Sequence, residues 1–502
     1  MRQIGRRGWL SLLVMGLTFA SGWLTHRILY RSHLTRGAET VVQRDFAPTL
    51  ADARVPSKEA RVSEPAMTQL YFQVFHLVRQ EFVEPVDPAR MAHSSLQMLF
   101  NALNDPHSQY LTVEQRARWL NALNGQVEGI GALLGILTRK QGEREQQLLQ
   151  VIAVLPGSPA QRAGLQPGDF IVEVNGKWVI SEDPFYEVLE LQRVHADRKQ
   201  IREADQRARE RLRNSLTLSE AIDLLSRAPA VSTSAQPKEK ASHDGTPPND
   251  TEGQGDSSAP SPTAPMELTL KRAGQTLKVK IEPGRMQVRP LEYRLFEQRW
   301  GYLRFNLLNS AAVKEAANAL KTLQQGGMKG LVIDLRGTAI GQQDACLQML
   351  QPLISKQSGR GKQVAVAMVE YREGKQYRKR PLNLTPASQP IRVPIAVLID
   401  KGTYNVAELM ALALRTGAKA RLFGMPTAGD ASQIALYKLR DGSGFTLTIG
   451  RYLGVDGTVF HRRGLQPDVR IPEPPRLQGQ PEGDPALARA LQWLSQTQEA
   501  KT

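Results

Sequence analysis

The chain has 502 residues, enough for several domains with cores of their own, and its 41% hydrophobic and 23% charged residues are ordinary for globular protein. The single cysteine, Cys346, excludes an internal disulfide and is expected to be a buried free thiol. The net charge of +16 would suit nucleic acid or an anionic membrane. No nucleic-acid-binding module accompanies this charge, so we expect a membrane-proximal surface and no nucleic-acid partner.

Residues 1–30 are predicted to be a signal anchor. Three arginines among the first seven residues precede the uncharged apolar run of residues 8–24, an order that indicates export with the N-terminus inside. The run is shorter than a typical span of about 20 residues, but Trp9 and Trp23 are placed as interfacial anchors. We expect an uncleaved transmembrane anchor, with the bulk of the chain on the periplasmic or cell-envelope side. Cleavage near Ala20, which would give a secreted protein, is the alternative.

Two segments lead from the anchor to the first β-rich module. Residues 31–66 are polar without a clear period and are predicted to be a tether. Residues 67–125 carry apolar residues at helical spacing and are predicted to be a helical N-terminal segment. Its second helix ends at a turn that begins Asp105-Pro106-His107. We assign this turn a structural role, with His107 exposed or capping the turn, and a catalytic His107 is the alternative.

Residues 126–285 are predicted to form a short β-rich module. Its motifs are Gly129-Ile130-Gly131-Ala132, Gly157-Ser158-Pro159-Ala160, Pro167-Gly168-Asp169 and Ile171-Val172-Glu173-Val174-Asn175-Gly176. Together these motifs resemble a PDZ domain over nearly its full length. The resemblance implies that the loop from Gly129 to Ala132 binds a peptide's terminal carboxylate through backbone N–H groups, and that the peptide adds as a strand beside it.

Two insertions interrupt this module. The segment at about 185–214 is dense in Arg, Glu, Asp and Gln and is predicted to be a solvated helical arm with many ion pairs. The segment at about 229–265 is rich in Ser, Pro, Gly and Thr and is predicted to be disordered. Between them, residues 219–227 resemble the PDZ helix that forms one wall of the peptide groove. The arm could bind a partner helix, but a solvated spacer is the favoured interpretation.

Residues 286–474 show strand patterns alternating with helix patterns, which favours a layered α/β domain. A tail, residues 475–502, begins rich in Pro and Gly and ends with a short predicted helix. The expected fold class is therefore multidomain α+β. It combines the N-terminal helical segment, a PDZ β-sandwich or barrel-like module with insertions, and the layered α/β domain.

Two turns of the α/β domain carry a catalytic pattern without its chemistry. They read Asp400-Lys401-Gly402-Thr403-Tyr404-Asn405-Val406-Ala407-Glu408 and Thr427-Ala428-Gly429-Asp430-Ala431-Ser432-Gln433-Ile434. The chain here resembles the carboxy-terminal processing (tail-specific) serine peptidases, which carry a nucleophilic serine in the first turn and, in the second, a general-base lysine and an orienting glutamine. The resemblance implies that Asn405, Asp430 and Ile434 stand at these three positions.

The loop expected to stabilise an oxyanion also departs from the family pattern. It reads Asp334-Leu335-Arg336-Gly337-Thr338-Ala339-Ile340-Gly341. In the family, glycines here are thought to present backbone donors, and Ile340 stands at the first of them, while Thr338 replaces an asparagine. A β-branched residue avoids positive φ, so we expect a different loop conformation. Asp334 and Arg336 match the family, and we expect structural roles for both.

These departures fall on functional positions while the scaffold motifs persist, which predicts a fold used without its reaction. An amide is not a competent nucleophile, and an anionic Asp430 would oppose oxyanion stabilisation. Tyr404 is expected to fill the cleft. The enzyme alternative is an active serine-type tail-specific endopeptidase with a relocated nucleophile, for which Thr403 and Ser432 are the candidates.

The predicted function is therefore that of a membrane-tethered pseudopeptidase that binds protein C-termini as an adaptor, scaffold or regulator. Expected partners are C-terminal tails, the membrane through the N-terminal segment, and copies of this chain or of an active paralogue. We expect no cofactor and no metal, since no metal-ligand spacing or phosphate-binding loop is present in the sequence. A third hypothesis is a structural envelope protein whose PDZ groove is closed by its own insert.

Overall fold

The computed structural model describes residues 64–141, 144–227, 265–297, 299–355, 363–472 and 483–500. The predicted signal anchor, nearly all of the tether and nearly all of the insert predicted to be disordered lie outside these residues. In the described part of the chain, no helix combines the length and the apolar character needed to cross a bilayer. The chain divides into two compact units, with the boundary between Val86 and Asp87.

The first unit contributes helix α1, Glu64–Glu81. This helix confirms the prediction made from the apolar spacing that begins at Met67. Its apolar side chains Leu70, Phe72 and Val74 are exposed. Within the described residues, α1 therefore presents exposed apolar surface.

The second unit begins with α2 (Pro88–Asn101), β1 (Gln109–Leu111) and α3 (Val113–Leu123). The carboxylate of Asp87 caps α2 by accepting from the backbone N–H of Ala89 at 2.8 Å. Thr112 and Gln115 form a reciprocal capping box at the start of α3. The turn that contains His107 lies between the end of α2 and the start of β1.

The described strands of the β-rich module form a seven-stranded sheet and a two-stranded sheet. Its strands are β2 (Gln126–Gly129), β3 (Ala132–Gln141), β4 (Arg144–Val154), β5 (Phe170–Val174), β6 (Lys177–Val179), β7 (Ser215–Leu216), β8 (Met266–Arg272), β9 (Gln275–Ile281) and β10 (Gly284–Gln287). Its helices are α4 (Pro159–Arg162), α5 (Tyr186–Arg193), α6 (Arg198–Arg213) and α7 (Leu218–Leu225). Strand β3 pairs only with β4 among the described strands, so its other edge is open. Helix α7 contributes Ala221 and Leu225 to a core shared with strand residues such as Val151 and Leu268.

The predicted helical arm is present as α5 and α6. The two helices pack through Val188, Ala204 and Ala208, a small core separate from that of the sheet. Charged side chains on the arm form ion pairs, among them Arg207 with Glu187 at 2.8 Å. The arm is thus ion-paired, as its composition predicts.

The strands of the third region form three sheets, the smallest of which pairs two short strands. Its strands are β11 (Leu291–Phe296), β12 (Trp300–Phe305), β13 (Leu307–Leu308), β14 (Gly330–Asp334), β15 (Ile340–Gly341), β16 (Val364–Glu373), β17 (Gln376–Leu384), β18 (Ile395–Ile399), β19 (Arg421–Gly424), β20 (Ser432–Lys438), β21 (Gly444–Leu453) and β22 (Val469–Arg470). Its helices are α8 (Ser310–Gln325), α9 (Gln343–Leu350), α10 (Val406–Gly417) and α11 (Pro485–Glu499). The main sheet has the order β11-β12-β14-β18-β19-β22 and is parallel from β12 onward.

Helices cover both faces of the main sheet, which makes this the layered α/β domain that the sequence predicts. Residues of α8, α9 and α10, including the buried Cys346, share one core with the sheet. Helix α11 buries Leu487 and Leu494 against the opposite face. A second sheet, in the order β1-β21-β16-β17 with β20 also paired to β21, lies beside this domain. The observed fold confirms the multidomain α+β class.

A buried ion network fixes α11 to the end of β14. Both guanidinium NH groups of Arg336 bond to Asp484, the residue that caps α11, and Arg336 also bonds to Asp334. Burial alone would raise the pKa of Asp334, but the guanidinium groups of Arg336 and Arg304 outweigh it and lower the pKa to about 2. The structural roles expected for Asp334 and Arg336 are therefore confirmed.

Candidate functional site

The candidate site is centred on a strained turn between β18 and α10. Strand β18 is buried along its whole length, and α10 begins at Val406. Between them Asn405 has φ +50° and ψ −108°, a conformation that residues other than glycine rarely adopt. Strained strand-to-helix turns of this kind aim a single side chain outward from the end of a sheet, as in the nucleophile elbow of hydrolases.

The side chain of Asn405 is held by the second turn of the sequence pattern. Its Nδ2 donates to Oδ2 of Asp430 at 2.6 Å and to the carbonyl oxygen of Ser432 at 2.8 Å. The other carboxylate oxygen of Asp430, Oδ1, accepts from the backbone N–H of Ser432 at 3.1 Å and from its hydroxyl at 2.7 Å. The two positions that the sequence pairs are thus in direct contact.

His107 reaches the same carboxylate from the N-terminal segment. Its Nε2 lies 3.0 Å from Oδ2 of Asp430 and 2.9 Å from the hydroxyl of Tyr404, and its side chain is only 13% exposed. The interpretation of His107 as exposed or capping a turn is therefore wrong. It failed because a histidine in a loop carries no signal of the distant carboxylate it meets in the fold.

His107 and Asp430 form a mostly buried ion pair. Burial alone would raise the pKa of Asp430, but the hydrogen bond and charge of His107, with the bonds from Ser432 and Asn405, lower it below its usual value. Burial alone would lower the pKa of His107, and the hydrogen bond and charge of Asp430 raise it instead. Asp430 is therefore an anion near neutral pH, as the sequence analysis expects.

Glu408 joins the two turns from inside the protein. Its buried carboxylate accepts from the backbone N–H groups of Asn405, Gly429 and Asp430 at 3.1, 2.8 and 2.7 Å, and from the hydroxyl of Thr427. Burial raises the pKa of Glu408 to about 8, even though these donors favour the charged form. Sequence analysis assigned Glu408 no role, although its place three residues after a helix N-cap signals such a bond.

Tyr404 fills the space beside Asn405. Its side chain is 9% exposed and packs against Ala339 of the loop that precedes β15 and against Ala153 of the PDZ strand β4. Its ring also lies 5.8 Å from that of His107. Tyr404 is therefore a buried side chain of the site, and it joins the α/β domain to the PDZ domain.

Neither substitute nucleophile is placed to attack a substrate. Thr403 is fully buried, and its hydroxyl lies 2.9 Å from the carbonyl oxygen of Leu335 and 3.2 Å from Oδ1 of Asp400. Ser432 is also buried, and its hydroxyl donates to Asp430, whose lowered pKa makes it a weak proton acceptor. A nucleophile must reach its substrate as well as a base, and the burial of both hydroxyls opposes this.

The loop expected to offer oxyanion donors is engaged internally. The backbone N–H of Gly337 donates to Oδ1 of Asp400 at 3.0 Å, and the hydroxyl of Thr338 donates to the carbonyl oxygen of Phe305 at 2.5 Å. Ile340 lies in the short strand β15, paired with Leu307 of β13. The loop therefore does not have the positive-φ conformation at Ile340 that a glycine would permit.

The position expected for the orienting glutamine is affected by a bulge in β20. Ile434 is half-buried opposite Thr448, and the register shifts between Gln433 and Ile434. The buried side chain is that of Gln433, which donates to Gln343 at 2.8 Å. Sequence analysis missed Gln433 because a bulge changes which side chain of a strand points inward.

The predicted peptide-binding loop lies against the end of α7. Gly129 and Gly131 both have positive φ, as the predicted close backbone approach requires. Ile130 donates its backbone N–H to the carbonyl oxygen of Leu225 at 2.9 Å, so this donor is engaged in the present conformation. Ala132 opens β3, whose free edge runs on from the loop.

In the described residues, no three His, Cys, Asp or Glu side chains are arranged to hold a metal ion.

Comparison with known proteins agrees with this architecture. The model of peptidase family S41 matches residues 299–471, and a PDZ domain model matches residues 150–198. The chain is similar to the carboxy-terminal processing peptidases. It is 23% identical over 403 residues to the carboxy-terminal processing protease CtpA of Bacillus subtilis (strain 168), a match that covers 80% of this chain and 68% of that protein.

Other relatives give the same result. A probable CtpA-like serine protease of Staphylococcus aureus (strain COL) is 22% identical over 401 residues, which cover 80% of this chain and 64% of that protein. Among solved structures, the photosystem II D1 C-terminal processing protease superposes with a TM-score of 0.52 at 20% identity, covering 83% of this chain and 90% of that chain. The fold of this chain is thus shared with that protease along most of its length.

Proposed function

We propose that this protein is a catalytically inactive carboxy-terminal processing peptidase that binds protein C-termini through its PDZ domain. The observation that carries the proposal is the 2.6 Å hydrogen bond from Nδ2 of Asn405 to Asp430 at the strained turn. Resemblance to the family puts the nucleophile and the general base at these two positions. A strained backbone is stable only where its surroundings hold it, so its retention supports descent from a working site.

The hydrogen bonds of Asp430 oppose any catalytic use of it. An ionised carboxylate offers about four acceptor positions. Here Oδ2 faces Asn405 and His107, while Oδ1 accepts twice from Ser432. A general base must have a free acceptor and a pKa near the working pH, and Asp430 has neither. The same atoms that would transfer a proton now join three segments of the chain.

Peptide binding is the chemistry that the rest of the architecture supports. The open edge of β3 offers backbone donors and acceptors to an added strand, and α7 forms a wall of the PDZ core. Release of the Ile130 N–H from Leu225 would free a donor for a terminal carboxylate. With an N-terminal signal anchor, the protein would act at the outer side of a membrane as an adaptor, a scaffold or a regulator of an active paralogue.

The experiment measures binding of a fluorescent peptide with an apolar C-terminus to the full chain, by fluorescence anisotropy. The matched control is the same peptide with a C-terminal amide, which lacks the charge that the loop would bind. We expect the acid to bind and the amide to bind at least about tenfold more weakly, the loss expected from one charge-assisted hydrogen bond. Equal affinity would contradict capture of a carboxylate by Gly129 to Ala132. Absence of binding for both would favour a structural envelope protein.

Residual catalysis is tested in parallel with the double variant Asn405→Ser with Asp430→Lys. Cleavage by the unmodified chain that persists in Asn405→Ala would favour the second candidate, an endopeptidase with a relocated nucleophile. Cleavage by the double variant alone would support loss of the dyad as the cause of inactivity. The double variant leaves Ile340 and Ile434 unlike the family pattern. Its activity is therefore expected to stay far below that of a family enzyme.

A further inference from the structure

The hairpin formed by β16 and β17 carries a concentration of unneutralised positive charge. Strand β17 is at the edge of the second sheet, and residues 372–380 are all exposed. The basic side chains of this hairpin are Arg372, Lys375, Arg378, Lys379 and Arg380. Only two carboxylates, those of Glu370 and Glu373, lie among them in sequence. The hairpin therefore has three more cations than anions.

The ion pairs of the hairpin leave particular cations free. Glu373 pairs with Arg378, and Glu370 lies 3.7 Å from Lys379. Among the described residues, no acidic side chain comes within 4 Å of Arg372, Lys375 or Arg380. These three cations therefore retain their full charge for a partner.

The cations point in several directions from one tip. Residues directly opposite each other in an antiparallel pair share a face, and successive residues alternate between faces. Arg378 stands opposite Tyr371, which puts it on one face, while Arg372 stands opposite Tyr377 on the other. Lys375 lies in the connecting turn. A partner that contacts one face would reach only part of these charges, whereas an extended anionic surface met at the tip would meet cations from both faces.

Two further features favour a surface over an added strand. Pro381 of β17 has no backbone N–H and interrupts any new ladder along this edge, and basic residues on an edge strand disfavour pairing. Tyr377 is 70% exposed near the tip, beside the basic residues. An aromatic ring with a polar end is the side chain that membrane interfaces favour.

We propose that this hairpin tip, residues 371–380, docks on the anionic lipid headgroups of a bilayer. Its charge is complementary to that surface, and the net charge of +16 attracts the whole chain toward it. Each cation near an anionic leaflet strengthens binding about fivefold. Docking would fix the orientation of the α/β domain at the membrane. This inference does not depend on the proposed loss of catalysis.

The test uses the full chain with Gln376→Cys, labelled with a polarity-sensitive dye. Gln376 is exposed beside the turn, and the natural Cys346 is fully buried, so the dye reports on the hairpin alone. Protein is mixed with vesicles of phosphatidylcholine, with or without phosphatidylglycerol. We expect a blue shift only with phosphatidylglycerol. The shift should disappear when salt rises from about 0.1 M to about 1 M, because the Debye length falls from about 10 Å to about 3 Å.

The control compares two double variants, each made at two basic side chains outside the ion pairs described above. Arg372→Glu with Lys375→Glu replaces two of the three free cations of the hairpin, and at about fivefold each we expect at least about 25-fold weaker binding. Arg198→Glu with Arg202→Glu makes the same charge change on exposed positions of α6 and should leave the dye response unchanged. No response to phosphatidylglycerol, or equal loss in both pairs, would overturn the proposal. An equal response to soluble polyglutamate would assign the hairpin to an acidic polypeptide instead.

Discussion

Asp430 is expected to be a main source of stability for the α/β domain, because it joins three distant segments. Asp430→Ala would remove the acceptor of Asn405 Nδ2, of the Ser432 N–H and of the Ser432 hydroxyl, and the counter-charge of His107. Asn405 would keep its second bond, to the carbonyl oxygen of Ser432, and the Ser432 hydroxyl could rotate. The losses that remain are one amide hydrogen, one backbone N–H and the ion pair.

The magnitude follows from the burial of these groups. A buried donor left without a partner costs about 1–3 kcal/mol. Breaking a buried ion pair by removing one partner costs about 3–5 kcal/mol, much of which His107 can avoid here by losing its proton. We therefore expect Asp430→Ala to lower the free energy of local opening by about 3–5 kcal/mol. The effect should appear in α10 and in the turn at residues 427–433.

Native-state hydrogen exchange of the α10 amides measures this quantity within one domain, which avoids treating a multidomain chain as two-state. Asp441→Ala is the matched control. Asp441 makes the same two bonds, to the N–H of Ser443 at 3.0 Å and to its hydroxyl at 2.6 Å, but it is exposed, so water replaces the lost acceptor. Equal changes in exchange for the two variants would refute the reasoning that burial gives Asp430 its importance.

Three further predictions concern this network and its surroundings. The His107–Asp430 pair should stabilise the protein most between about pH 3.8 and pH 6.5. Its contribution is lost as pH falls through the lowered pKa of Asp430 and also as pH rises through the raised pKa of His107. His107→Gln should therefore flatten the pH profile of the melting temperature. Tyr404→Ala should cost about 3–5 kcal/mol in urea denaturation, the range for deleting a buried aromatic ring, and a cost below about 1 kcal/mol would mean that the cleft is not filled. Asp484→Ala should lower the stability of the domain by about 3–5 kcal/mol, because it leaves Arg336 without its second carboxylate. Amide exchange should become faster in the first turn of α11, and unchanged exchange there would contradict the anchoring role.

The site could be located from the sequence because its positions lie close together along the chain. The buried strand before Asp400, the helix after Asn405 and the second turn around Asp430 carry local signals of strand, cap and turn. Their contact in space follows from the family resemblance. The anionic state of Asp430 also follows from ordinary carboxylate chemistry.

The rest of the network depends on contacts that sequence does not encode locally. His107 comes from the turn before β1, whose position is set by pairing with β21 far along the chain. No local pattern indicates that this turn delivers an imidazole to Asp430. Gln433 was missed because the bulge in β20 changes the face that each residue occupies.

The PDZ loop shows a third kind of limit. Its glycines and their positive φ were predictable, because only such a backbone allows close approach to an anion. The engagement of Ile130 by Leu225 was not, since it depends on where the insertions leave α7 relative to the loop. The backbone conformation at single positions could thus be predicted from the sequence. The hydrogen-bond partner of each backbone N–H group depends on the fold.

The most direct test of the account is the mass of a partly unfolded substrate protein with an apolar C-terminal tail, after prolonged incubation with the full chain. Asn405→Ala serves as the reference, because it removes the amide at the strained turn. The account predicts that the substrate keeps its intact mass with both proteins. Fragments that appear with the unmodified chain would contradict it, and their loss in Asn405→Ala would show that the turn itself takes part in the reaction.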